Sequence, residues 1–471
     1  MIRLRTKMLV ISAFLAGVPV AFTAWQLSEE AAQLGQETLQ NSTQNHIISI
    51  RDAKKQQIEQ YFSLVTSQIQ YYSEDPTTVR MMGSFKQAFT KFINESARPA
   101  PNEGGPPVPG AMAVNVPVDD YREALRSYYT DDFIEEYNLL NPDTPGTIAQ
   151  TVDNLGENSV ALQYHYIANN PNPLGTKEEL IAARDPSSYT QLHRQHHQVT
   201  LDYMNRFVFR NIFYVDSDTG YIVYSVLKEI DFATSLLDGP YAETNIGEVF
   251  RQANQAVNKD ESFLIDFSPY LPSYSNHTAF IASPVFEGSR KIGVIIFQLP
   301  IDQVNDIMTY DRSWRLAESG RTGEVIIIAD GDYTMRNDSR ALVEDKEGYI
   351  EKIGTVVSLE MDESVVERID RKDTTVGLQR VDNSLVRTAL SGVDTFDLSE
   401  DYKGDFVFMA VAPINVPGLS WAISSNLSEE EAYETIENLE AGIQAASIPI
   451  AITIVIIGGL VGIILSQFII A

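Results

Sequence analysis

Two uncharged apolar runs stand near the ends of the chain, Met8 to Trp25 and 448–471. Between them the apolar residues follow helical spacing in the first part and strand-like runs after about residue 210. A hydrocarbon core about 30 Å thick is crossed by roughly 20 apolar residues in a helix. The end runs therefore predict two membrane spans, at 8–27 and 447–471. From Ser28 to Tyr72 the helical pattern continues without proline, and Ile58, Phe62, Val65, Ile69 and Tyr72 form a heptad-like stripe. A helix of some 45 residues would reach about 65–70 Å beyond the membrane. Its stripe needs cover from its own domain or from a second copy in parallel, and a homodimer through this stalk is expected. Asp75-Pro76 supplies a cap and a first-turn proline for a second helix carrying Val79, Met82, Phe85, Phe89 and Phe92.

Residues 98–110 (RPAPNEGGPPVPG) read as an exposed loop, because proline and glycine at that density leave no packed element. Helical patterns return at 119–140 and 188–207. The chain then repeats itself. NIFYVDSDTGYIVYSV (211–226) and EVIIIADGDYTMRND (324–338) each read as strand, polar turn, strand. An acidic strand follows in each half (263–271 and 394–402), then one with a proline, Pro284 or Pro413 (278–286 and 405–415). Each half closes with a strand running into a helix (291–308 and 419–436). Two copies of one module are the economical reading. The fold class is α+β: a long membrane-rooted stalk helix and two tandem antiparallel-sheet modules, flanked by two transmembrane helices. The expected divisions are a cytoplasmic end 1–7, first span 8–27, stalk helices 28–95, loop 96–118, membrane-distal module 119–310, membrane-proximal module with closing helix 311–446, and second span 447–471.

Charge sets the orientation. Arg3, Arg5 and Lys7 precede the first run and no acid lies among the first 27 residues, which places that end in the cytoplasm. A cleaved signal peptide is the alternative, but the run is long for one and Phe22 stands where a small residue is wanted. The net charge of −29 comes entirely from the part between the runs, since the first 27 residues add +3 and 447–471 add none, and it argues against nucleic acid or anionic lipid as partner. There is no cysteine, so disulfides, thiol catalysis and cysteine-based zinc sites are excluded. The large domain is expected outside a bacterial inner membrane, in the periplasm.

The segments RDAKKQQIEQYF (51–62), IFYVDSDTGYIVYSVLKEIDFATSLLDGPYA (212–242), FIASPVFEGSRKIGVIIFQLP (280–300) and TGEVIIIADGDYTMRNDSR (322–340) carry a resemblance to bacterial double-Cache sensor domains. These PAS-like modules are found in methyl-accepting chemotaxis receptors and some sensor kinases. The resemblance covers roughly residues 8–471, although the Arg, Trp, Tyr and Asp signature of amino-acid-binding members has no match here. It implies a chemoreceptor, not an enzyme, whose distal module binds a small solute (amino acid, organic acid, amine or purine) without a cofactor. It also implies a signal passed through the second span to a cytoplasmic module beyond residue 471 or in a partner protein. The alternatives are the input portion of a histidine kinase or cyclase, or a membrane-anchored module docking a solute-binding protein. A membrane-anchored hydrolase lacks a catalytic set.

With the site placed in 185–300, the candidate ligand contacts are Tyr203, Arg210, Phe213, Tyr224, Lys228, Asp231, Asp266, Tyr270, Tyr274 and Ser283. Tyrosines offer an apolar wall with a polar tip, though core packing explains any one of them. Lys228, Glu229 and Asp231 suit a zwitterionic or hydroxylated ligand, and equally surface ion pairs. Ile222, Tyr224 and Val226 are expected on the ligand-facing side of one strand, with 266–274 as a loop over the pocket. Asp330, Arg336 and Asp338 mark the runner-up site in the second module. Two motifs are set aside. His193, His196 and His197 share a helix face but lack a carboxylate at metalloprotease spacing, so a solvated face is expected and no metal. Asp216-Ser-Asp218-Thr-Gly220 begins like a calcium loop but has Tyr221 and Leu227 where glycine and glutamate belong, which leaves a hairpin turn.

Overall fold

The structure is a computed structural model that describes residues 4–96, 117–143, 145–146, 148–310, 320–355, 361–434 and scattered positions from 442 to 464. Helix α1 (Leu4–Glu74) is 71 residues long and carries Pro19 within it. Among the described residues no helix is long and apolar enough to cross a membrane. Both expected spans fall largely on side chains outside the described set; of those described, Ile11, Val18, Phe22, Trp25, Ile452, Ile456 and Leu460 are exposed. The expected loop at 98–110 also lies outside the described residues.

Asp75 ends α1 and starts α2 (Pro76–Ser96). Its Oδ1 accepts from the amides of Thr77 (2.8 Å) and Thr78 (3.1 Å), which satisfies two donors that the helix start leaves open. Four short helices follow, α3 (Val118–Ser127), α4 (Ile134–Leu140), α5 (Ile148–Asp153) and α6 (Glu157–Gln163), then α7 (Ser188–Phe207). The first sheet holds β1 (Asn211–Asp216), β2 (Ile222–Ser225), β3 (Phe263–Tyr270), β4 (Asn276–Glu287) and β5 (Arg290–Leu299) in the order β2-β1-β5-β4-β3. Helix α8 (Asn245–Gln255) packs against β3 and β4, and α9 (Asp302–Thr309) leads to the second module.

The second sheet has β6 (Glu324–Ala329), β7 (Thr395–Glu400), β8 (Phe406–Ile414) and β9 (Trp421–Ser428) in the order β6-β9-β8-β7. Helices α10 (Arg340–Glu344), α11 (Lys346–Thr355), α12 (Glu363–Lys372) and α13 (Ser384–Leu390) lie between β6 and β7. All strand pairs in both sheets are antiparallel. The repeat is visible in the order, since β6, β9, β8 and β7 take the places of β1, β5, β4 and β3. Pro284 and Pro413 occupy corresponding strands, opposite Val294 and Ala422. Among the described residues the second copy has no counterpart of β2. An isolated bridge from Ile328 to Met335 stands in that place.

The chain covers its own stalk. Ile58, Phe62, Val65, Ile69 and Tyr72 are all buried, with Phe62 against Trp421 of the second sheet (5.6 Å between ring centroids) and Tyr72 against Phe297 of the first (5.4 Å). The expectation that a second stalk covers this stripe is therefore corrected: both sheets do. Burying a stripe of large apolar side chains contributes about 1.5–3 kcal/mol for each fully buried residue. The sheets also meet each other, where the guanidinium of Arg336 binds Asp266 (3.0 Å) and the Gly418 Cα leaves room for the Leu264 carbonyl.

Candidate functional site

Strand alternation sorts the first sheet into two faces. The Tyr214 hydroxyl meets that of Tyr72 on α1 (2.9 Å), and Tyr224 stands opposite Tyr214 in the ladder. Ser283 shares that face, its hydroxyl 2.9 Å from Ser73 of α1. Tyr203 joins it through Tyr72 (4.6 Å between centroids). Three of the candidate contacts, Tyr203, Tyr224 and Ser283, thus pack against the helices and cannot line a pocket on the other side. The expectation that Tyr224 faces a ligand with Lys228 just beyond is corrected accordingly.

The other face carries Phe213, paired with Ser225 and Ile296, and Asn211, paired with Gln298. Phe213 contacts Phe280, and Phe280 contacts Tyr270 (5.0 Å), so both candidates lie on this face as buried walls. After β2 the chain turns over the sheet edge through 226–236. Here Lys228 and Ala233 adopt positive φ, 57° and 63°. The next segment over the site contains Tyr274 and Ser275, at 57° and 54°. These four are half of the eight non-glycine residues with positive φ among those described. Each costs of order 1–3 kcal/mol, and such strain gathers at functional sites.

Beneath these turns is a set of buried polar atoms without hydrogen-bond partners: Asn211 Nδ2, Ser225 Oγ, Asp231 Oδ1, Tyr241 Oη, Asn245 Oδ1 and Gln298 Oε1. Only eleven such atoms occur among the described residues, and six stand on one face of one sheet or on the segments covering it. Leaving a buried donor or acceptor unpaired costs about 1–3 kcal/mol. A cluster of them is a place where ordered water or a small polar guest can bind.

Asp231 is the centre of the set. Its Oδ2 accepts the Tyr270 hydroxyl at 2.5 Å, and Oδ1 is open. Burial pushes its carboxyl up to about 6. Glu229 is pushed up to about 8, by burial and then by the Asp231 charge, and its Oε2 accepts from Ser273 at 3.4 Å. Lys228 is buried as well, with Nζ 4.4 Å from the Tyr224 ring centroid and 5.1 Å from that of Phe232. Burial drives its ammonium well below the usual lysine range. The trio is therefore not a set of surface ion pairs.

Arg210 and Tyr274 stand at the mouth. Both line a cavity of about 80 Å³ with Glu229, Lys228, Tyr128 and Pro272. Tyr274 stacks on Phe133 (5.1 Å) in a lid whose 271–273 turn follows β3 directly. The expected loop over the pocket begins only there, since 263–270 is an edge strand. Asp266 leaves the site altogether. A bulge between Ile265 and Ser268 turns it to Arg336, which it holds at 3.0–3.2 Å.

The second module offers less. Asp330 is exposed in a turn, Arg336 is taken by Asp266 and Asp332, and Asp338 accepts from Asn305, Thr374 and Thr375. A cleft of about 660 Å³ does open there, lined by Met361, Arg368, Arg380, Glu400 and Tyr402 together with His277 and Pro269 of the first sheet.

His193 and His197 are not solvated. They stack at 4.2 Å in the core, where His197 Nδ1 meets the Tyr224 hydroxyl (2.8 Å) and Nε2 the Glu178 carbonyl (2.6 Å). Among the described residues no group of three side chains is placed to hold a metal. The Asp216 loop is a hairpin turn, closed by the Gly220 amide on the Asp216 carbonyl (2.8 Å) and clamped by Lys86.

No family model matches the chain, and no curated protein matches it. Solved structures similar to it include the ligand-binding domain of the Pseudomonas aeruginosa PAO1 amino acid chemoreceptor PctB with L-Gln, at 14% identity and a TM-score of 0.29, covering 69% of this chain and 95% of that one. The ligand-binding domain of the Pseudomonas fluorescens chemoreceptor CtaA with L-leucine is 13% identical, with a TM-score of 0.27 and coverage of 67% and 93%. The extracellular domain of the putative histidine kinase vpHK1S-Z8 is 11% identical, with a TM-score of 0.31 and coverage of 68% and 95%. The strand order and the long helix that backs both sheets give the two tandem antiparallel-sheet modules that the sequence pattern predicts.

Proposed function

We propose that this chain is the sensory input of a transmembrane chemoreceptor, and that its first module binds a small amine-bearing solute through Asp231 and Glu229. The observation that carries this reading is the open, buried Asp231 Oδ1 within a cluster of unpaired polar atoms. Two carboxyl groups held above their ordinary range by burial gain most from a cation placed between them. An ammonium does this and satisfies acceptors at the same time. The cavity at the mouth, about 80 Å³, admits no more than a few water-sized groups. A larger solute enters by displacing the Pro272–Ser275 lid. No catalytic role is assigned, since the site holds acids, an amide set and tyrosines without a nucleophile arranged beside a base.

Proton linkage gives the test. A buried acid whose folded pKa is raised binds protons more tightly in the folded state than in the unfolded chain. Its contribution to stability therefore falls as pH rises from about 4 and levels off above about 8. An ammonium ligand needs the ionised carboxyls, so its affinity should rise from pH 6 to pH 8 by up to about tenfold per unit. Calorimetric titration of an amine panel across that range checks it. A flat or falling affinity would remove Glu229 and Asp231 from the site.

Membrane insertion belongs to the same reading. It is supported by the apolar run Met8–Trp25, by the flanking Arg3, Arg5 and Lys7, and by exposed side chains such as Phe22, Trp25, Ile456 and Leu460. Reporter fusions at Asn102 and after residue 471 are expected to report opposite compartments. Matching compartments would sink the two-span topology.

A further inference from the structure

We infer that Lys372 is the latch through which the second module follows the lid over the first module's site; this rests on the reading that a solute displaces that lid. The lid has two sides. Inward, Ser273 Oγ donates to Glu229 and accepts from Gln298 Nε2 (3.0 Å), so its position depends on what lies at the carboxyls. Outward, Lys372 Nζ donates to the carbonyls of Tyr274 (3.2 Å) and Ser275 (2.8 Å) and to Asn276 Oδ1 (3.3 Å). Lys372 is the last residue of α12, a helix of the second module that packs on α4 of the first. Arg371 reinforces the seam by donating to the Asn138 carbonyl (3.2 Å).

No carboxylate forms an ion pair with Lys372 among the described residues, and its three contacts all belong to the lid and its exit. Surface pairing is thus not its role. Tyr274 and Ser275 are held at positive φ, and the Tyr274 carbonyl is shared between Lys372 and Asn141 Nδ2 of the first module (3.0 Å). A lid built from strained residues and held from two modules has a second arrangement within reach when either hold is lost.

A path leads onward from the latch. Directly after α12, Thr374 Oγ1 and the Thr375 amide bind Asp338 Oδ1 (2.5 and 3.2 Å), whose Oδ2 accepts from Asn305 on α9 (2.8 Å). The neighbouring Asn337 binds both ways to β6, accepting from the Ile327 amide (2.7 Å) and donating to the Val325 carbonyl (3.2 Å). β6 pairs along its length with β9, which runs into the helical residues 429–434 on the way to the second apolar run. Each step is a hydrogen bond or a covalent neighbour along the chain, so lid displacement biases one connected set of groups.

The test uses the full chain in detergent and reads amide hydrogen exchange. Without ligand, Lys372→Met should speed exchange at 271–277 by about tenfold or more, since local opening follows the loss of charge-assisted hydrogen bonds. Tyr274→Gly, which relieves the strain, should in turn speed exchange in the last turn of α12. Unchanged lid exchange in Lys372→Met would overturn the latch whatever the site binds. With a saturating amine, such as the tightest of the panel, wild type should show altered exchange both at 226–236 and at 363–376. Lys372→Met should keep the first change and lose the second. Persistence of the second would overturn the latch while leaving the binding site in place. An amine that alters neither segment in wild type would count against the binding site, and the ligand-free comparison would then decide the latch.

Discussion

Asp231→Asn should weaken amine binding at least about 30-fold at pH 8 without lowering the stability of the empty protein. Truncating one partner of a buried, hydrogen-bonded charge pair costs about 2–5 kcal/mol, which is roughly 30-fold to several thousand-fold in affinity. The side chain is fully buried and its Oδ1 has no hydrogen-bond partner of good geometry, so what the amide forfeits is chiefly electrostatic attraction to the neighbouring backbone amides and Lys228. The amide oxygen still accepts from Tyr270, which donates to Oδ2 at 2.5 Å. Removing a carboxyl that burial holds up at about 6 should even stabilise the fold at pH 8, where the charge is otherwise forced into the interior. Calorimetry and denaturant unfolding separate the two effects. A variant that loses stability but binds normally would make Asp231 a packing residue.

The second large effect is expected at Trp421. It is 1% exposed at the start of β9, with Phe62 of the stalk at 5.6 Å on one side and Phe267 of β3 at 6.2 Å on the other. One side chain thus joins the long helix and both sheets. Trp421→Ala should cost about 3–5 kcal/mol, from lost transfer energy and the cavity left between three elements. Its indole N–H has no partner to orphan, so the loss is one of packing. Trp421→Phe should recover much of it. Urea unfolding of the full chain measures both, and a loss under about 1 kcal/mol for the alanine variant would show that the modules do not share this contact.

Much of the fold was legible because its signals are local and periodic. The Asp75-Pro76 break, the 188–207 helix and the β1–β2 hairpin follow from capping, spacing and turn chemistry that neighbouring residues supply. The repeat was legible from Pro284 and Pro413, which fall on equivalent strands. What covers the Ile58–Tyr72 stripe was not, since a heptad-like stripe fits a sheet surface as well as a second helix.

The proposed site was legible in part. Asp231, Tyr270 and Tyr274 were reachable because the turn after β2 and the proline-rich 269–274 segment stand out in the sequence. Tyr203, Tyr224 and Ser283 were misplaced because alternation fixes which residues share a face, not which face meets the helices. Asp266 was misplaced because a bulge in β3 turns it away, and a bulge leaves no clear mark in the sequence. Gln298 did carry a signal that went unread: it is the one polar side chain inside IGVIIFQL, and such a residue in a fully buried strand asks for a partner. Asn211 and Ser225 flank apolar strands in the same way. The buried Lys228 reads as a surface lysine until the rings of Tyr224 and Phe232 are seen around it.

The central claim is that an amine sits at Asp231 beneath the lid, and a structure of the full chain with the tightest amine tests it most directly. The ammonium nitrogen is expected within about 2.7–3.2 Å of Asp231 Oδ1, with the 271–275 turn displaced from its present contacts. An amine found instead in the 660 Å³ cleft of the second module, against Glu400 or Asp401, with Asp231 untouched, would contradict it.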